Sequence, residues 1–152
     1  MATFNPSTTR RWTPVQLASA AVGAVFLLVG VLGFIPGITT DYDMLEFAGH
    51  ESHAKLLGVF QVSVLHNLVH VVFGLAGLAA SRTISAARGF LIGGGVIYLI
   101  LWIFGLVIDK TDDINFVPLN TADDWLHFVL GVGMIALGVL LPRLRTANTT
   151  LR

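Results

Sequence analysis

The chain contains no cysteine, which excludes disulfides, thiolate metal sites and thiol nucleophiles. Charge is also scarce: Asp, Glu, Lys and Arg make up 12% of the 152 residues, where ordinary soluble domains carry about 25%. Most of the sequence is free of acidic residues, because all nine lie within 41–51 and 109–124. No nucleophile elbow, phosphate-binding loop, dinucleotide fingerprint or zinc-protease helix motif occurs. The aspartates at 109, 112 and 113 lack the glycine and terminal glutamate spacing of a calcium loop. The scattered arginines form no basic patch that would indicate a nucleic-acid partner.

What is present is apolar. Hydrophobic residues make up 55% of the chain, concentrated in four segments near 14–33, 62–81, 89–108 and 123–142. Each is close to the ~20 residues needed to cross a ~30 Å hydrocarbon core. The implied fold is an all-α, four-helix transmembrane bundle over 14–142, with tails at 1–13 and 143–152 and the lipid bilayer as its surroundings. Basic residues set its orientation. Arg10, Arg11, Arg82, Arg88, Arg143, Arg145 and Arg152 lie at the two ends and in the middle connection, and only Lys55 and Lys110 accompany the acids. By the positive-inside rule both termini are cytoplasmic, and the connections near 34–61 and 109–122 lie outside.

The second segment carries the densest polar signal. At 100° per residue Ser63, His66, Asn67, His70, Gly74 and Gly77 share an arc roughly 100° wide. Ionisable side chains are rare within membrane helices and mark a polar contact, a cavity or a site. The fourth segment repeats the pattern. Residues 65–82 align without gaps to 126–143, with identities at 65/126, 66/127, 71/132, 77/138 and 82/143. His66 and His127 each lie sixteen residues from an arginine, ~24 Å along a helix, so they are expected at one depth. Tyr98 of the third segment is expected near His70. These residues, Ser63, His66, Asn67, His70, Tyr98 and His127, form the candidate intramembrane polar centre. Three chemistries fit it. Neutral imidazoles could bond to Ser63 and Asn67 and pin helix register. His66, His70 and His127 could hold haem or a divalent metal. The pocket could handle protons or a small ligand. The default expectation is no cofactor.

Small residues suggest helix contacts. Ser19 and Gly23, and Gly89 and Gly93, have the small-xxx-small spacing for close helix approach, while Gly74 and Gly77, and Gly131 and Gly138, each share one helix face. Outside the spans, residues 52–61 could extend the second helix above the membrane. His50, Glu51 and His53, with Asp41, Asp43 and Glu46, are either a solvated acidic loop or a divalent-cation site. Residues 115–121 read as a loop hugging the bundle, with Thr121 as cap of the fourth helix.

The strings Leu32-Gly33-Phe34-Ile35-Pro36-Gly37, residues 60–70 (FQVSVLHNLVH), Val107-Ile108-Asp109 and residues 115–127 (NFVPLNTADDWLH) resemble a bacterial membrane family catalogued as domain of unknown function 4383. The resemblance covers about residues 15–142. It implies a small four-helix protein of the inner membrane and supplies no catalytic residues. The expected function is a non-enzymatic accessory or structural subunit, either a homo-oligomer or part of a larger membrane complex. A haem- or metal-binding redox protein and a small oligomeric transporter or channel are the alternatives.

Overall fold

The protein's structure, a computed structural model, describes residues 12–149, with side chains through Leu141. The tail arginines Arg10, Arg11 and Arg152, and the side chains of Arg143 and Arg145, lie outside that description. The architecture is mostly helical: α1 is Pro14–Leu32, α2 Val64–Ala80, α3 Ile84–Val107 and α4 Thr121–Thr149. By length and composition α1, α3 and the Thr121–Leu141 part of α4 could each cross a membrane, while α2 is a shorter apolar helix.

Local chemistry explains the helix starts. Pro14 occupies the first turn of α1, where its missing N–H costs nothing. The Gln16 side chain accepts from the Thr13 N–H at 3.1 Å. Ser63 caps α2, its Oγ accepting from the His66 N–H at 3.1 Å. Thr83 caps α3 through Ala86 N–H at 3.1 Å, so that helix begins at Ile84, ahead of the apolar run. Asn120, and not Thr121, caps α4. Its Oδ1 accepts from the Ala122 and Asp123 N–H groups, and Asp123 Oδ2 accepts from the Asn120 N–H in return. This reciprocal pair is a capping box shifted by one residue from the sequence expectation.

The segment 52–61 does not extend α2. It contributes to a small antiparallel sheet, ordered β1 (Thr39–Thr40), β2 (Lys55–Leu56), β3 (Phe60–Gln61), a departure from an all-α fold. The cause is the turn between β2 and β3, where Leu57 and Gly58 both take positive φ, 55° and 72°. That conformation reverses a strand and cannot continue a right-handed helix. The sheet closes one end of the bundle: Ala54, Leu56 and Val62 are buried against Val29, Leu32 and Ile38. The second long connection joins the same cap. Gly49 N–H donates to the Phe116 carbonyl at 2.7 Å, and Asn120 Nδ2 donates to the Val59 carbonyl at 2.8 Å. Buried Asn115 shapes that connection, accepting from Leu119 N–H and donating to the Lys110 carbonyl. At its exposed start, the Thr111 N–H and hydroxyl bond to Asp109 and hold its carboxyl below the ordinary range.

The helices pack as two hairpins. α1 lies along α2 and α3 along α4, and the hairpins meet where α1 touches α3 and α4 and where α2 touches α3. Among the described residues broad contact between α2 and α4 is lacking. The core joining the hairpins contains Val15, Phe26, Leu91, Tyr98 and Met134. The first hairpin is held by backbone approach: a Cβ on Gly74 would lie 2.8 Å from the Gly23 carbonyl oxygen. Polar ties reinforce it at the opposite end from the sheet. Gln16 Nε2 donates to the Ser81 carbonyl and Ser19 Oγ to the Gly77 carbonyl, both at 2.9 Å. In the second hairpin Gly95 meets Gly131, and Gly138 meets Ile92. Gly89 and Gly93 correct the sequence expectation, because a Cβ on either meets nothing within 4 Å. Spacing alone does not say which helix face finds a neighbour.

Candidate functional site

The structure brings His66, His70, Tyr98 and His127 together beneath the sheet. Helical spacing of four places His66 and His70 on one side of α2, and their rings stack with centroids 4.5 Å apart and planes 16° apart. His70 Nδ1 lies 3.1 Å from the His66 carbonyl oxygen. A carbonyl can only accept, so Nδ1 carries the proton and His70 Nε2 is left as an acceptor. The Tyr98 hydroxyl lies 3.4 Å from that Nε2, a long contact in which the hydroxyl donates. Tyr98 thus connects α3 to α2. Its ring also meets His127 of α4 edge-on at 5.0 Å and stacks on Phe26 of α1 at 5.3 Å, with planes 4° apart. One tyrosine therefore touches the other three helices.

Ser63 and Asn67 do not join the imidazoles as hydrogen-bonding partners, which corrects the sequence expectation. The Ser63 hydroxyl is taken up as the cap of α2. Asn67 is turned toward α1, where its side chain occupies the space that a side chain at Gly33 would need. His66 Nδ1, His127 Nδ1 and Asn67 Nδ2 are buried with no hydrogen-bond partner.

His66, His70 and His127 line a cavity of about 100 Å³ in the crevice between α2 and α4. Val29 of α1 and the sheet residues Leu56, Leu57 and Phe60 complete its walls. Asp123 of α4 also lines it, and Asp123 Oδ2 accepts from the Gln61 N–H of β3 at 3.1 Å, fastening the sheet to α4.

Three features escaped the sequence reading. Phe26 carries no polar signal, yet it is fully buried against Tyr98, His70 and Phe73. Asp123 reaches back to β3, a contact between residues 62 positions apart. Asp124 is buried and paired with Lys110 at 2.7 Å, and the same ammonium donates to the Gly105 carbonyl at 2.9 Å. An acidic residue in the first helical turn is ordinary complementation of the helix dipole, so the sequence offers no sign of the ion pair.

Among the described residues no group of three His, Asp or Glu side chains is arranged to hold a metal ion. This applies to His66, His70 and His127, and to the outer set of His50, Glu51 and His53. His50 pairs instead with Glu51 at 2.9 Å and approaches Asp113 at 3.9 Å. His50 and His53 line a shallow pocket of about 290 Å³ together with Lys110 and Gln61.

Compared with known proteins, residues 16–140 match the family model described as "Domain of unknown function (DUF4383)". No curated protein and no solved structure matches the chain.

Proposed function

We propose, for a chain that belongs to the domain of unknown function 4383 (DUF4383) family, that it is a multi-pass protein of the inner membrane. In this reading it acts as a non-enzymatic accessory or structural subunit of a larger membrane assembly. The observation that carries the membrane placement is an inverted distribution of polarity. Leu17, Val25 and Leu28 of α1, Val69, Val72 and Leu75 of α2, Ile97, Ile100 and Ile103 of α3, and Val129 and Leu140 of α4 are exposed. Ser19, His66, Asn67, Asp124 and His127 are buried. Water would favour the reverse. Hydrocarbon favours this arrangement, because every polar group must find its partners inside. With 17 residues, α2 spans about 26 Å and still falls within the range of membrane helices.

The orientation follows from charge. The Arg82 and Arg88 connection lies at the opposite end from the sheet and from the acidic connections, which supports a reading with both termini in the cytoplasm. Single cysteines at Ser7, Ser85 and Thr149 are expected to resist a membrane-impermeant thiol reagent in intact cells, while one at Thr40 reacts. Labelling at Thr149→Cys without labelling at Thr40→Cys reverses the orientation. For the accessory role, solubilisation in mild detergent is expected to retain a stoichiometric membrane partner or a second copy of the chain. A bare monomer that restores full function when reconstituted alone contradicts that role.

The contacts of Tyr98 with Phe26, His70 and His127 support a structural use of the imidazoles, as a clamp between the hairpins. His66 and His127 contribute ring contacts, to His70 and to Tyr98, and no hydrogen bond through their Nδ1 atoms. Such aromatic pairs contribute about 0.5–1.5 kcal/mol, so His66→Gln and His127→Gln are expected to keep most of the stability in detergent unfolding. A Soret band or stoichiometric metal in the purified protein, lost in either variant, would make this a redox or metal protein instead.

A further inference from the structure

We propose that the crevice between α2 and α4 is a binding site for a small neutral molecule that carries one hydrogen-bonding group on an apolar body. The reading rests on the membrane placement above and adds a ligand class to the histidine cluster. Three observations converge on it. The cavity volume is about 100 Å³. A 150 Å³ apolar cavity accommodates benzene, so this one suits roughly four or five non-hydrogen atoms. The walls are mostly Leu, Val and Phe, with Phe60, Leu126 and Leu130 among them, which matches an apolar body. His66 of α2 and His127 of α4 are two imidazoles in this mostly apolar lining, and their Nδ1 atoms are closed off from the space and make no hydrogen bond within the protein. A guest hydroxyl therefore meets these rings at the wall through ring atoms other than Nδ1.

The fold leaves room for entry. Among the described residues α2 and α4 lack broad mutual contact, and His66 and His127 line the space between them. The gap is roofed by the β2–β3 turn, where Leu57 is 64% exposed while it also lines the cavity. Leu57 therefore stands at the rim, on the side of the outer cap. His70 and Asp123 also border the space but are already engaged. His70 bonds to the His66 carbonyl, and Asp123 bonds to Asn120 and Gln61. That leaves His66 and His127 as the recognising pair. A neutral guest is favoured, because the walls are mostly apolar and burying a charge among them is unfavourable, and the Asp123 carboxyl at their edge is already held by the Asn120 and Gln61 N–H groups.

The test uses the full chain in lipid nanodiscs with ¹⁵N-labelled histidine. The probes are n-butanol and n-pentane, which have the same number of non-hydrogen atoms and differ in one hydroxyl. n-Butanol is expected to shift the ring nitrogens of His66 and His127 saturably, with His50 and His53 unchanged. n-Pentane is expected to bind about tenfold more weakly, the factor associated with one hydrogen bond. Leu130→Trp, which fills the space, is expected to abolish the shifts in protein that keeps its helical circular dichroism. Equal response to both probes overturns the proposal, because the cavity is then merely apolar. So does the absence of any saturable shift in folded wild-type protein, which means that the space holds water alone. Failure to enter nanodiscs is seen separately and counts against the membrane reading itself.

Discussion

Replacing Gly74 by leucine is expected to abolish stable pairing of α1 with α2. A Cβ at Gly74 would stand 2.7 Å from the Leu27 Cα and 2.8 Å from the Gly23 carbonyl oxygen, and one at Gly23 would stand 2.7 Å from the Leu78 backbone nitrogen. These neighbours are backbone and cannot rotate away as side chains do, so the helices must separate. Overpacking within a core typically costs about 1–3 kcal/mol, and the cost here should lie at or beyond the top of that range. Separating α1 from α2 would also disturb the Gln16 and Ser19 bonds to α2 and the position of Phe26 under Tyr98. Two controls isolate the cause. Gly93→Ala meets nothing within 4 Å and should be neutral or stabilising, since alanine is favoured over glycine in a helix by up to about 1 kcal/mol. Val69→Leu lies on a half-exposed position and should change little. Unfolding midpoints in graded denaturing detergent check all three. A Gly74→Leu midpoint equal to that of the controls would mean that α1 and α2 do not cross at these residues.

Removing Lys110 is expected to be the second most damaging single change. Its ammonium bonds to Asp124 at 2.7 Å and to the Gly105 carbonyl, with Asp124 3% exposed and Lys110 31% exposed. Breaking one side of a buried ion pair typically costs about 3–5 kcal/mol, because it leaves the other charge without compensation. The partial exposure of Lys110 puts Lys110→Met at the lower part of that range. Asp124 has little room to adapt. Its other oxygen is already unpartnered, and its carboxyl lies directly over Gly105. The double variant Lys110→Met with Asp124→Leu removes the charge altogether and should recover much of the loss, provided that the larger side chain is accommodated. Asp124→Ala in the same background covers the case where it is not. If Lys110→Met unfolds at the wild-type midpoint, the pair contributes nothing and the carboxyl is satisfied in another way.

The polar arc on α2 was legible because helical periodicity places residues on faces without reference to anything else. His66 and His70 must share a side of any helix that contains both. The matching spacing of His66 and His127 from Arg82 and Arg143 also put both histidines within reach of one cluster. The partners of each group were not legible. Ser63 and Asn67 belong to the same arc as the histidines, yet one caps the helix and the other fills the space at Gly33, just past the end of α1. An arc as wide as this one faces two neighbours at once, and only the rotation of α2 against α1 separates its members.

By itself the sequence determined the number of helices, their apolar character, the segregation of acidic from basic residues, and the presence of polar side chains within apolar segments. Each follows from composition or from periods of a few residues. Tertiary structure alone decided that Gly74 lies at a helix crossing while Gly93 faces open space, and that Lys110 neutralises Asp124. It also decided that residues 55–61 form a sheet, and that Tyr98 joins Phe26 to the histidines of both hairpins. Apart from the pairing of β2 with β3, whose partners are four and six positions apart, these depend on contacts between residues from fourteen to more than sixty positions apart. Helical periodicity says which residues share a face, and packing of the whole chain decides what that face meets.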